Sequence, residues 1–395
     1  MAKKTSKTTG KTGTKKTSVA RSPRVGAASG GKKTGKKKGS WLLYGANSYT
    51  GELLLEEAAR MGLRPILAGR REETLIPLAE KYSLPYRAFS LDDPEVIAQN
   101  IQDCELVLNY AGPFINTAYP MVQACLRTKT DYMDITGEPA IFEMCWSSNE
   151  QARRAGIMIM PGVGIDIIPT DCIAGLLHAK MPDIQDIKVG FSDFTMDRIS
   201  KGTLNSILHI MAEGYKTRQN GILKRKSPLS KEIRVDMEGK GKPIRMVLSP
   251  LADPLTTFIS RGIPNIEFYG EMFKLPINMS FLGPVCGFLE GKYRTVRALQ
   301  KVVTWVFPDR RKQDAREGFH YIWGQATNAR GERLDKRVRV PRGYYWTGLA
   351  SLAAVKKRLA GKRVPGYQTP SMVFGSSFLM EIPEVEDLGF REFDS

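Results

Sequence analysis

Acidic and hydroxyl side chains are concentrated where one predicted strand ends. Tyr132, Asp134, Thr136 and Glu138 alternate through the segment DYMDITGE. A carboxyl or phenol group beside a bound substrate can orient the substrate or exchange a proton with it. We therefore treat Tyr132, Asp134 and Glu138 as candidate catalytic residues. The alternative for Glu138 is structural, because the pair that it forms with Pro139 is typical of a helix start.

A second pair of carboxylates follows the next predicted strand, in the glycine-rich segment PGVGIDIIPTDC. Asp166 lies in the turn itself and is the fourth catalytic candidate, for orienting a substrate or relaying a proton. Asp171 lies further along the same segment, where it could instead cap a helix that begins near Cys172. The spacing alone does not decide between these roles.

The segment WLLYGANSYTGELLLEEA has the pattern of a strand, a tight turn and a helix. In dinucleotide-binding turns, glycines allow the backbone to approach a pyrophosphate that lies at the helix N-terminus. Gly45 permits the tight turn and Gly51 lets the helix pack close to the sheet, whereas Ser48 stands where many such turns have a middle glycine. A serine is small, and its hydroxyl can donate to phosphate. The residues expected to bind the cofactor here are Gly45, Asn47, Ser48, Tyr49, Thr50 and Gly51.

The end of the second predicted strand indicates which dinucleotide binds. An NAD site has an acidic residue there that binds the ribose 2′-OH, but this strand ends in Ala68-Gly69-Arg70-Arg71. A guanidinium can bind a 2′-phosphate through two hydrogen bonds, whereas a carboxylate would repel it. We therefore expect NADP(H), with Arg70 as the first choice for the phosphate and Arg71 as the second.

Further cofactor contacts are expected after the third and fourth strands. Asp92 is placed near the adenine ring, and its neighbour Asp93 is as well suited to cap a helix before Pro94. The segment LNYAGPF ends the fourth strand and brings the backbone close to the ribose and nicotinamide. Its expected contacts are Ala111, Gly112 and Pro113.

Short apolar segments alternate with helical patterns over residues 41–160. Strands are predicted at 41–44, 65–68, 86–89, 106–110, 132–135 and 157–160, with helices between them. This alternation predicts an α/β fold with a Rossmann-type, doubly wound parallel sheet, in which ligands bind at the carboxyl ends of the strands. After about Ile187 the strand-like segments are separated by long irregular connections, which indicates a second α+β domain.

Composition is that of a soluble globular protein, with 42% hydrophobic and 25% charged residues in 395. Five cysteines without a C-x-x-C pair and three histidines give no support for a metal site or a disulfide framework. No 18-residue apolar run exists, so no spanning helix is expected and the predicted location is cytoplasmic.

The apolar segment 273–289 is interrupted by prolines. It could cover an acyl substrate, rest on a membrane, form a homodimer interface or belong to the core.

The net charge of +18 comes mostly from the N-terminus. Residues 1–39 hold 13 Lys and Arg and no Asp or Glu, while the rest of the chain carries +5. This tail has too few apolar side chains to offset the conformational entropy that it would lose on ordering, and it is therefore predicted to be disordered. It could bind nucleic acid or an anionic membrane surface as a peripheral contact, or it could serve only as a solubilising leader.

Several segments together resemble the saccharopine dehydrogenase-like oxidoreductases, which include trans-acting enoyl reductases. They are GANSYTG, AGRR, LNYAGPF, DYMDITGE, PGVGIDIIPTDC, SRGIPNIEFY and GYQTPSMVFG, which cover nearly everything after the tail. The resemblance implies an NADP-binding domain, a second domain with a mixed sheet, and a chain that returns to close against the first domain. Ser48 departs from the family pattern, as does the basic tail.

The predicted organisation has four parts. They are a disordered tail at 1–39, a Rossmann domain at 40–172, a substrate or dimerisation domain at 173–343, and a segment at 344–395 that returns to the Rossmann domain. The resemblance implies reduction of a C=C (enoyl) or C=N bond in a lipid-, polyketide- or amino-acid-type substrate, which is either a small molecule or carrier-bound. Two alternatives remain: a cofactor-binding scaffold or sensor without turnover, and a nucleic-acid- or membrane-binding protein that acts through its tail. The absence of Tyr-x-x-x-Lys and G-x-S-x-G motifs argues against short-chain dehydrogenase and serine hydrolase chemistry.

Overall fold

A computed structural model describes residues 39–192, 205–206, 208–210, 213–227, 230–237, 243–271, 288–289, 291–306 and 318–393. The basic tail, apart from Gly39, lies outside these residues, and so does the apolar segment 273–289, apart from Phe288 and Leu289. Predictions for those segments stay predictions. Within the described residues, no helix is long and apolar enough to cross a membrane.

A parallel sheet of seven strands, sheet A, forms the first domain of the described chain. In chain order its strands are β1 (Trp41–Tyr44), β2 (Ile66–Gly69), β3 (Tyr86–Ala88), β4 (Leu106–Asn109), β5 (Asp131–Asp134), β6 (Met158–Met160) and β15 (Gly366–Tyr367). Their order across the sheet is β15-β6-β5-β4-β1-β2-β3, so the strand order reverses between β1 and β4. This is the doubly wound arrangement that the alternating pattern predicts, and the reversal opens a crevice at the carboxyl ends of β1 and β4.

Helices cover both faces of sheet A. They are α1 (Tyr49–Arg60), α2 (Glu72–Tyr82), α3 (Pro94–Ile101), α4 (Phe114–Thr128), α5 (Pro139–Ser147), α6 (Asn149–Ala155) and α7 (Ile168–Lys180). The single helix expected from Ile141 to Ala155 is in fact two, which meet at Ser148. α7 begins at Ile168, four residues before the predicted start near Cys172, because the apolar pattern does not reveal the Ile168-Pro169 start.

Sheet B is mixed and forms the second domain, as the resemblance implies. Its strands are β7 (Ile184–Phe191), β8 (Tyr215–Gln219), β9 (Ile222–Lys226), β10 (Glu232–Val235), β11 (Ile244–Leu248), β12 (Asn265–Glu271), β13 (Phe319–Asn328), β14 (Arg333–Pro341) and β16 (Glu386–Phe393). The main path runs β10-β11-β12-β7-β13-β14-β16, and β8 joins β12 to β9. Helices α8 (Asp253–Arg261) and α9 (Tyr293–Val306) belong to this region, and the described residues from 205 to 210 are also helical.

The C-terminal segment serves both domains. Helix α10 (Gly343–Leu359) packs so closely on α1 that a Cβ on Gly348 would lie 3.4 Å from the Leu54 Cα. β15 then joins sheet A, followed by α11 (Pro370–Phe374) and α12 (Phe378–Glu381). In this segment α10 and β15 therefore lie against the first domain, whereas β16 pairs with β14 at the edge of sheet B.

Two hydrophobic clusters occupy the two faces of sheet A, because parallel strands are covered on both sides. The larger cluster continues through α7 and α10 into the inner face of sheet B. Four of the five cysteines lie within the described residues, and all four are buried and form no disulfide there. This continuous core fixes how the two domains meet above the strand ends.

Candidate functional site

The turn after β1 is held tightly against the loop after β4. Gly45 has a φ of +85°, and a Cβ there would lie 2.7 Å from the Ala111 backbone nitrogen. A Cβ on Gly51 would lie 2.6 Å from the Gly45 carbonyl oxygen. Both positions therefore need glycine, for the left-handed conformation at Gly45 and for the close approach of α1 to the turn at Gly51. These are the requirements of a dinucleotide-binding turn.

Ser48 shows why this turn works without a middle glycine. It is the N-cap of α1, with φ −75° and ψ 158°, a conformation that any residue adopts. Its Oγ accepts a hydrogen bond from the Gly51 N–H at 3.0 Å. That bond satisfies one of the free N–H groups of the first turn and leaves the hydroxyl proton available for donation. The departure at Ser48 therefore leaves the geometry of the turn intact.

Two arginines lie free at the end of β2. Arg70 and Arg71 are exposed, and neither guanidinium has a hydrogen-bond or ion-pair partner among the residues that the structure describes. Arg70 lies near the hydroxyl of Tyr44, which donates to the Phe89 carbonyl at 3.1 Å. Burial raises the pKa of Tyr44 to about 12, while the charge of Arg70 opposes that rise. Unpaired guanidinium groups at this strand end suit a phosphate.

Polar side chains complete this end of the site. The Asn47 amide oxygen lies against Gly69, 3.2 Å from where a Cβ would be, so the turn after β1 touches the end of β2. Asp92 is exposed after β3, and its carboxylate accepts a short hydrogen bond from Ser90. Asp93 caps α3 through a 2.8 Å bond from the Glu95 N–H, which confirms the capping alternative for Asp93.

The loop after β4 is shaped by its own side chains. The Asn109 carboxamide accepts a hydrogen bond from the Ala111 N–H at 3.0 Å, and the Ala111 carbonyl accepts one from Thr117 at 2.7 Å. Gly112 is exposed and Pro113 half-buried. The three predicted contacts, Ala111, Gly112 and Pro113, therefore lie at the strand-order reversal, directly across from Gly45.

Tyr132 and Asp134 form a completely buried pair. The Tyr132 hydroxyl donates to Asp134 Oδ2 at 2.7 Å, while Oδ1 accepts the N–H groups of Thr136 at 3.0 Å and Gly162 at 2.9 Å. Burial raises the pKa of Asp134 to about 6, partly offset by these hydrogen bonds. The pair ties the loops after β5 and β6 together, so its geometry is that of a structural network.

Glu138 also has structural partners. Its carboxylate accepts hydrogen bonds from the N–H groups of Phe114 and Ile115, both at 3.0 Å, and from the Ser206 hydroxyl at 2.6 Å. Phe114 and Ile115 open α4, whose own N-cap, Pro113, makes no side-chain cap. Glu138 therefore stabilises the N-terminus of α4 from the neighbouring loop. It is also the N-cap residue of α5, directly before Pro139, which is the structural alternative considered from the sequence.

Asp166 differs from the other three catalytic candidates. Its carboxylate lies against the backbone of Gly137, where a Cβ would be 2.8 Å from Oδ2. The side chain is half-buried, and among the described residues it accepts no hydrogen bond. Burial raises the pKa of Asp166 to about 6. It is therefore an unpaired acid at the carboxyl ends of β5 and β6.

Asp171 has neither of the roles weighed from the sequence. It lies inside the first turn of α7, and its Oδ2 accepts the Ser371 N–H at 2.7 Å while Oδ1 accepts the Thr369 hydroxyl at 3.1 Å. It thus stabilises the start of α11, a helix about which the local sequence gives no information.

Two other groups near the site carry little sequence signal. The ring of Tyr344, at the start of α10, contacts that of Tyr49 edge-on at 5.3 Å, beside the turn after β1. His320 is buried, and its Nδ1 lies 2.9 Å from the Ser192 carbonyl, so Nδ1 carries the proton. Its Nε2 lies 3.3 Å from where a Cβ on Gly343 would be. In a sequence, an aromatic or histidine residue within an apolar run has the pattern of a core residue. The contacts of Tyr344 and His320 therefore could not be predicted from the sequence.

The residues present suit a dinucleotide phosphate. The two glycines leave no room for side chains between the turn and the loop after β4, α1 directs its N-terminus to the turn, and free arginines stand at the end of β2. No group of three or more potential metal ligands occurs within the described part of the chain.

Known proteins match the same region. Residues 41–160 match the family model described as the saccharopine dehydrogenase NADP binding domain. A saccharopine dehydrogenase-like oxidoreductase of Bos taurus is 29% identical over 159 residues, which is 35% of this chain and 37% of that protein. A trans-acting enoyl reductase of Mycobacterium leprae (strain TN) is 32% identical over 153 residues, which is 35% of each protein. The matched stretch thus spans well under half of either relative.

The fold of the whole chain also has a solved counterpart. Saccharopine dehydrogenase (L-Glu forming) from Saccharomyces cerevisiae, in its apo form, superposes with a TM-score of 0.62 over 90% of this chain and 100% of its own, at 12% identity. That likeness extends the shared architecture from the first domain to sheet B.

Proposed function

We propose that this chain, whose residues 41–160 belong to the saccharopine dehydrogenase NADP-binding domain family, is an NADP(H)-dependent oxidoreductase. The observation that carries the proposal is the pairing of a glycine-dependent phosphate turn with an unpaired acid, Asp166, on the same edge of sheet A. Both lie where ligands bind in doubly wound sheets.

The cofactor residues follow from the contacts at the strand ends. Gly45, Gly51 and the first N–H groups of α1 receive the pyrophosphate, with the Ser48 hydroxyl as an added donor. Arg70 is proposed to bind the 2′-phosphate, since it is exposed, unpaired and beside Tyr44. Arg71, Asn47 and Asp92 border the same end.

Asp166 is proposed to exchange the proton that accompanies reduction. The bound nicotinamide supplies a hydride, and reduction of a double bond then needs one proton from the protein. A carboxyl whose pKa is raised to about 6 by burial is protonated often enough near neutral pH to donate and returns readily to the acid form. Tyr132, Asp134 and Glu138 are less suited, because their oxygens are already hydrogen-bonded to the protein.

The substrate is proposed to contain a C=C bond conjugated to an acyl carbonyl, or a C=N bond. Both bonds accept a hydride at one atom and a proton at the other, which is the division of labour between cofactor and Asp166. The names of the matched relatives, an enoyl reductase and saccharopine dehydrogenase-like oxidoreductases, support these two classes.

The test is NADPH oxidation with two substrate panels. One contains enoyl thioesters of increasing chain length, and the other contains imines formed from 2-oxo acids and amines. Asp166→Asn should lower kcat about 10²- to 10⁴-fold, the usual contribution of a positioned acid, with the Kd for NADPH unchanged. Asp186→Asn is the matched control, since Asp186 is exposed on β7.

Two outcomes would overturn parts of the proposal. NADPH binding without oxidation by either panel would favour a cofactor-binding scaffold. Full activity of Asp166→Asn would remove Asp166 from the reaction while leaving the oxidoreductase assignment in place.

A further inference from the structure

Helix α8 buries its polar face. Asp253, Thr256 and Thr257 are spaced i, i+3 and i+4, share one face, and are each 0% exposed. Leu255 and Ile259, on the opposite face, are only half-buried. An amphipathic helix in a globular protein normally turns its apolar face to the core, so the orientation of α8 is inverted.

The buried face has no protein partners for its side-chain oxygens. Both carboxylate oxygens of Asp253 and the hydroxyls of Thr256 and Thr257 are without a hydrogen bond in the described chain. The nearest hydroxyl, that of Thr170, donates its proton to the Ile167 carbonyl at 3.2 Å. Four such atoms on one face would be costly if dry, since buried polar groups in proteins are nearly always bonded to protein or to ordered water.

Helix α8 packs against α7, and Asp253 on its buried face lies beside Thr170 and Asp171. We call the buried polar residues of these two helices the polar seam; its members are Thr170, Asp171, Asp253, Thr256 and Thr257. One end of the seam meets the turn that carries Asp166, two residues before α7 begins. At the other end Ser260 and Arg261 are half-buried, which brings the seam to the surface.

The outer end is ordered by specific contacts. The Arg261 guanidinium donates to the Ser371 hydroxyl at 2.6 Å and to the Ser376 hydroxyl at 3.2 Å. A Cβ on Gly175 would lie 2.5 Å from Arg261 Nη2, so α7 needs a glycine for the guanidinium to pass. Arg261 therefore lies at the half-buried end of the polar seam, where it is hydrogen-bonded to two serine hydroxyls.

We propose that the polar seam holds internal water and conducts protons from solvent at its Arg261 end to Asp166, with Asp253 as the group that exchanges them. Buried waters typically make about three hydrogen bonds to otherwise unsatisfied polar groups, and α8 offers four such atoms. This inference rests on the proposed function for its last step, the delivery to Asp166.

The proton balance is simple. During reduction the O–H bond of Asp166 breaks and a C–H or N–H bond forms on the substrate, which leaves Asp166 as a carboxylate. With substrate and cofactor filling the cleft, Asp166 regains its proton from Asp253 through water, and Asp253 is reprotonated along the seam. The two electrons of the reduction would come with the hydride of the bound cofactor, so the steps along the seam move protons only, and one solvent proton is consumed for each reduced substrate.

The charges around α8 suit this exchange. Burial, which raises the pKa of Asp253, the Thr170 hydroxyl, which lowers it, and the negative charges of Asp171 and Asp166, which raise it, together bring that pKa to about 7. Asp253 can therefore hold or release a proton near neutrality. The ionisable acidic and basic groups on the elements that pack against α8 are Asp171, His178 and Lys180 on α7, Glu143 on α5, Lys216 and Arg218 on β8, and Glu267 and Glu271 on β12. Asp166 lies in the turn before α7.

Hydration of the seam can be tested without any substrate. Thr256→Val and Thr257→Val keep the side-chain shape and remove one hydroxyl each. If water bonds to the hydroxyls, both variants should have a lower melting temperature than the control Thr295→Val, at an exposed position of α9. If the seam is dry, removing an unsatisfied hydroxyl should raise the melting temperature, and that result would overturn the hydrated seam.

Proton delivery is tested with Asp253→Asn in two kinetic modes. At about pH 5, below the pKa of about 6, Asp166 starts mostly protonated, so a single turnover of hydride transfer should keep its wild-type rate, whereas steady-state turnover should fall at least tenfold. Asp166→Asn should slow both. An unchanged steady-state rate in Asp253→Asn would overturn the conducting role, and equal slowing in both modes would mean that Asp253 only supports the fold. Lack of activity in the wild-type protein would contradict the proposed function alone, since the melting temperatures would still report on the seam.

Discussion

The Ser206 hydroxyl donates a hydrogen bond to the Glu138 carboxylate at 2.6 Å, joining helical residues of the second domain to the strand ends of sheet A. The same carboxylate receives the first two N–H groups of α4. The Glu138 side chain therefore contacts both the start of α4 in the first domain and helical residues of the second domain. This arrangement distinguishes a structural from a catalytic carboxylate.

Glu138→Gln should destabilise the protein and spare its chemistry. The amide keeps one acceptor but loses the negative charge at the α4 N-terminus, which should lower the free energy of unfolding by about 1–2 kcal/mol. Urea unfolding measures this loss, and NADPH oxidation should show kcat within a small factor of wild type. A loss of kcat as large as that of Asp166→Asn, with unchanged stability, would make Glu138 catalytic instead.

Arg70→Ala should change which dinucleotide binds. Loss of a charge-assisted contact to the 2′-phosphate should weaken NADPH binding by at least about tenfold, or ~1.4 kcal/mol, and leave NADH binding unchanged. Calorimetric titration with both nucleotides measures the ratio. Arg71→Ala should have the smaller effect, and Arg154→Ala, at an exposed site on α6, is the control. Equal weakening for both nucleotides would show that Arg70 does not contact the 2′-phosphate.

The contacts of this site that could be predicted from the sequence are those between residues close together along the chain. Gly45, Ser48 and Gly51 act within one turn, so the phosphate turn and the alternating strands were predictable. Glu138 binds N–H groups 24 and 23 residues earlier, and a hydroxyl 68 residues later. Such partners are set by the fold, so its capping of α4 could not be predicted.

The same reasoning applies to buried polar groups. Asp171 bonds to Ser371, 200 residues away, and no local pattern predicts that pairing. The sequence of α8 shows that one face is polar and the other apolar. It does not show which face turns inward, because that depends on how α7 and sheet B pack against it.

Asp131→Asn should be strongly destabilising. Asp131 is completely buried at the start of β5, where it pairs with Arg358 and accepts bonds from Arg363 at 2.9 Å and the Met158 N–H at 2.8 Å. Neutralising it leaves the buried Arg358 charge with only a longer ion pair, at 3.9 Å to Glu105, which should cost about 3–5 kcal/mol. Arg363→Ala removes a half-buried partner and should cost less than about half as much. Similar losses in chemical unfolding for the two variants would contradict this ranking.

Stability should fall as pH rises through the titration of Asp253. Its pKa is raised from 3.8 to about 7 in the folded protein, so the unfolded chain releases this proton first. The stabilising contribution is complete below about pH 4 and is lost as pH rises to about 7, by ~4 kcal/mol at most. Asp253→Asn does not titrate and should flatten that part of the profile. Unfolding curves measured from pH 4 to 8 give the difference between the two proteins, and parallel profiles would show that Asp253 is not an isolated buried acid.

The basic tail is expected to give peripheral, salt-sensitive association with anionic membranes. Each of its 13 basic residues can contribute at most about 1 kcal/mol near an anionic surface, and a tail that is disordered, as its composition predicts, would realise only part of this. Salt screens the attraction over about 8 Å at physiological ionic strength, so binding should weaken as salt rises. Co-sedimentation with anionic and neutral vesicles at low and high salt, for the full chain and for a chain that starts at Ser40, measures the effect.

We expect the full chain to sediment with anionic vesicles at low salt only, and the shortened chain not to sediment. Binding by the shortened chain at high salt would assign the contact to an apolar surface such as 273–289, and no sedimentation of the full chain at low salt would exclude a membrane role for the tail.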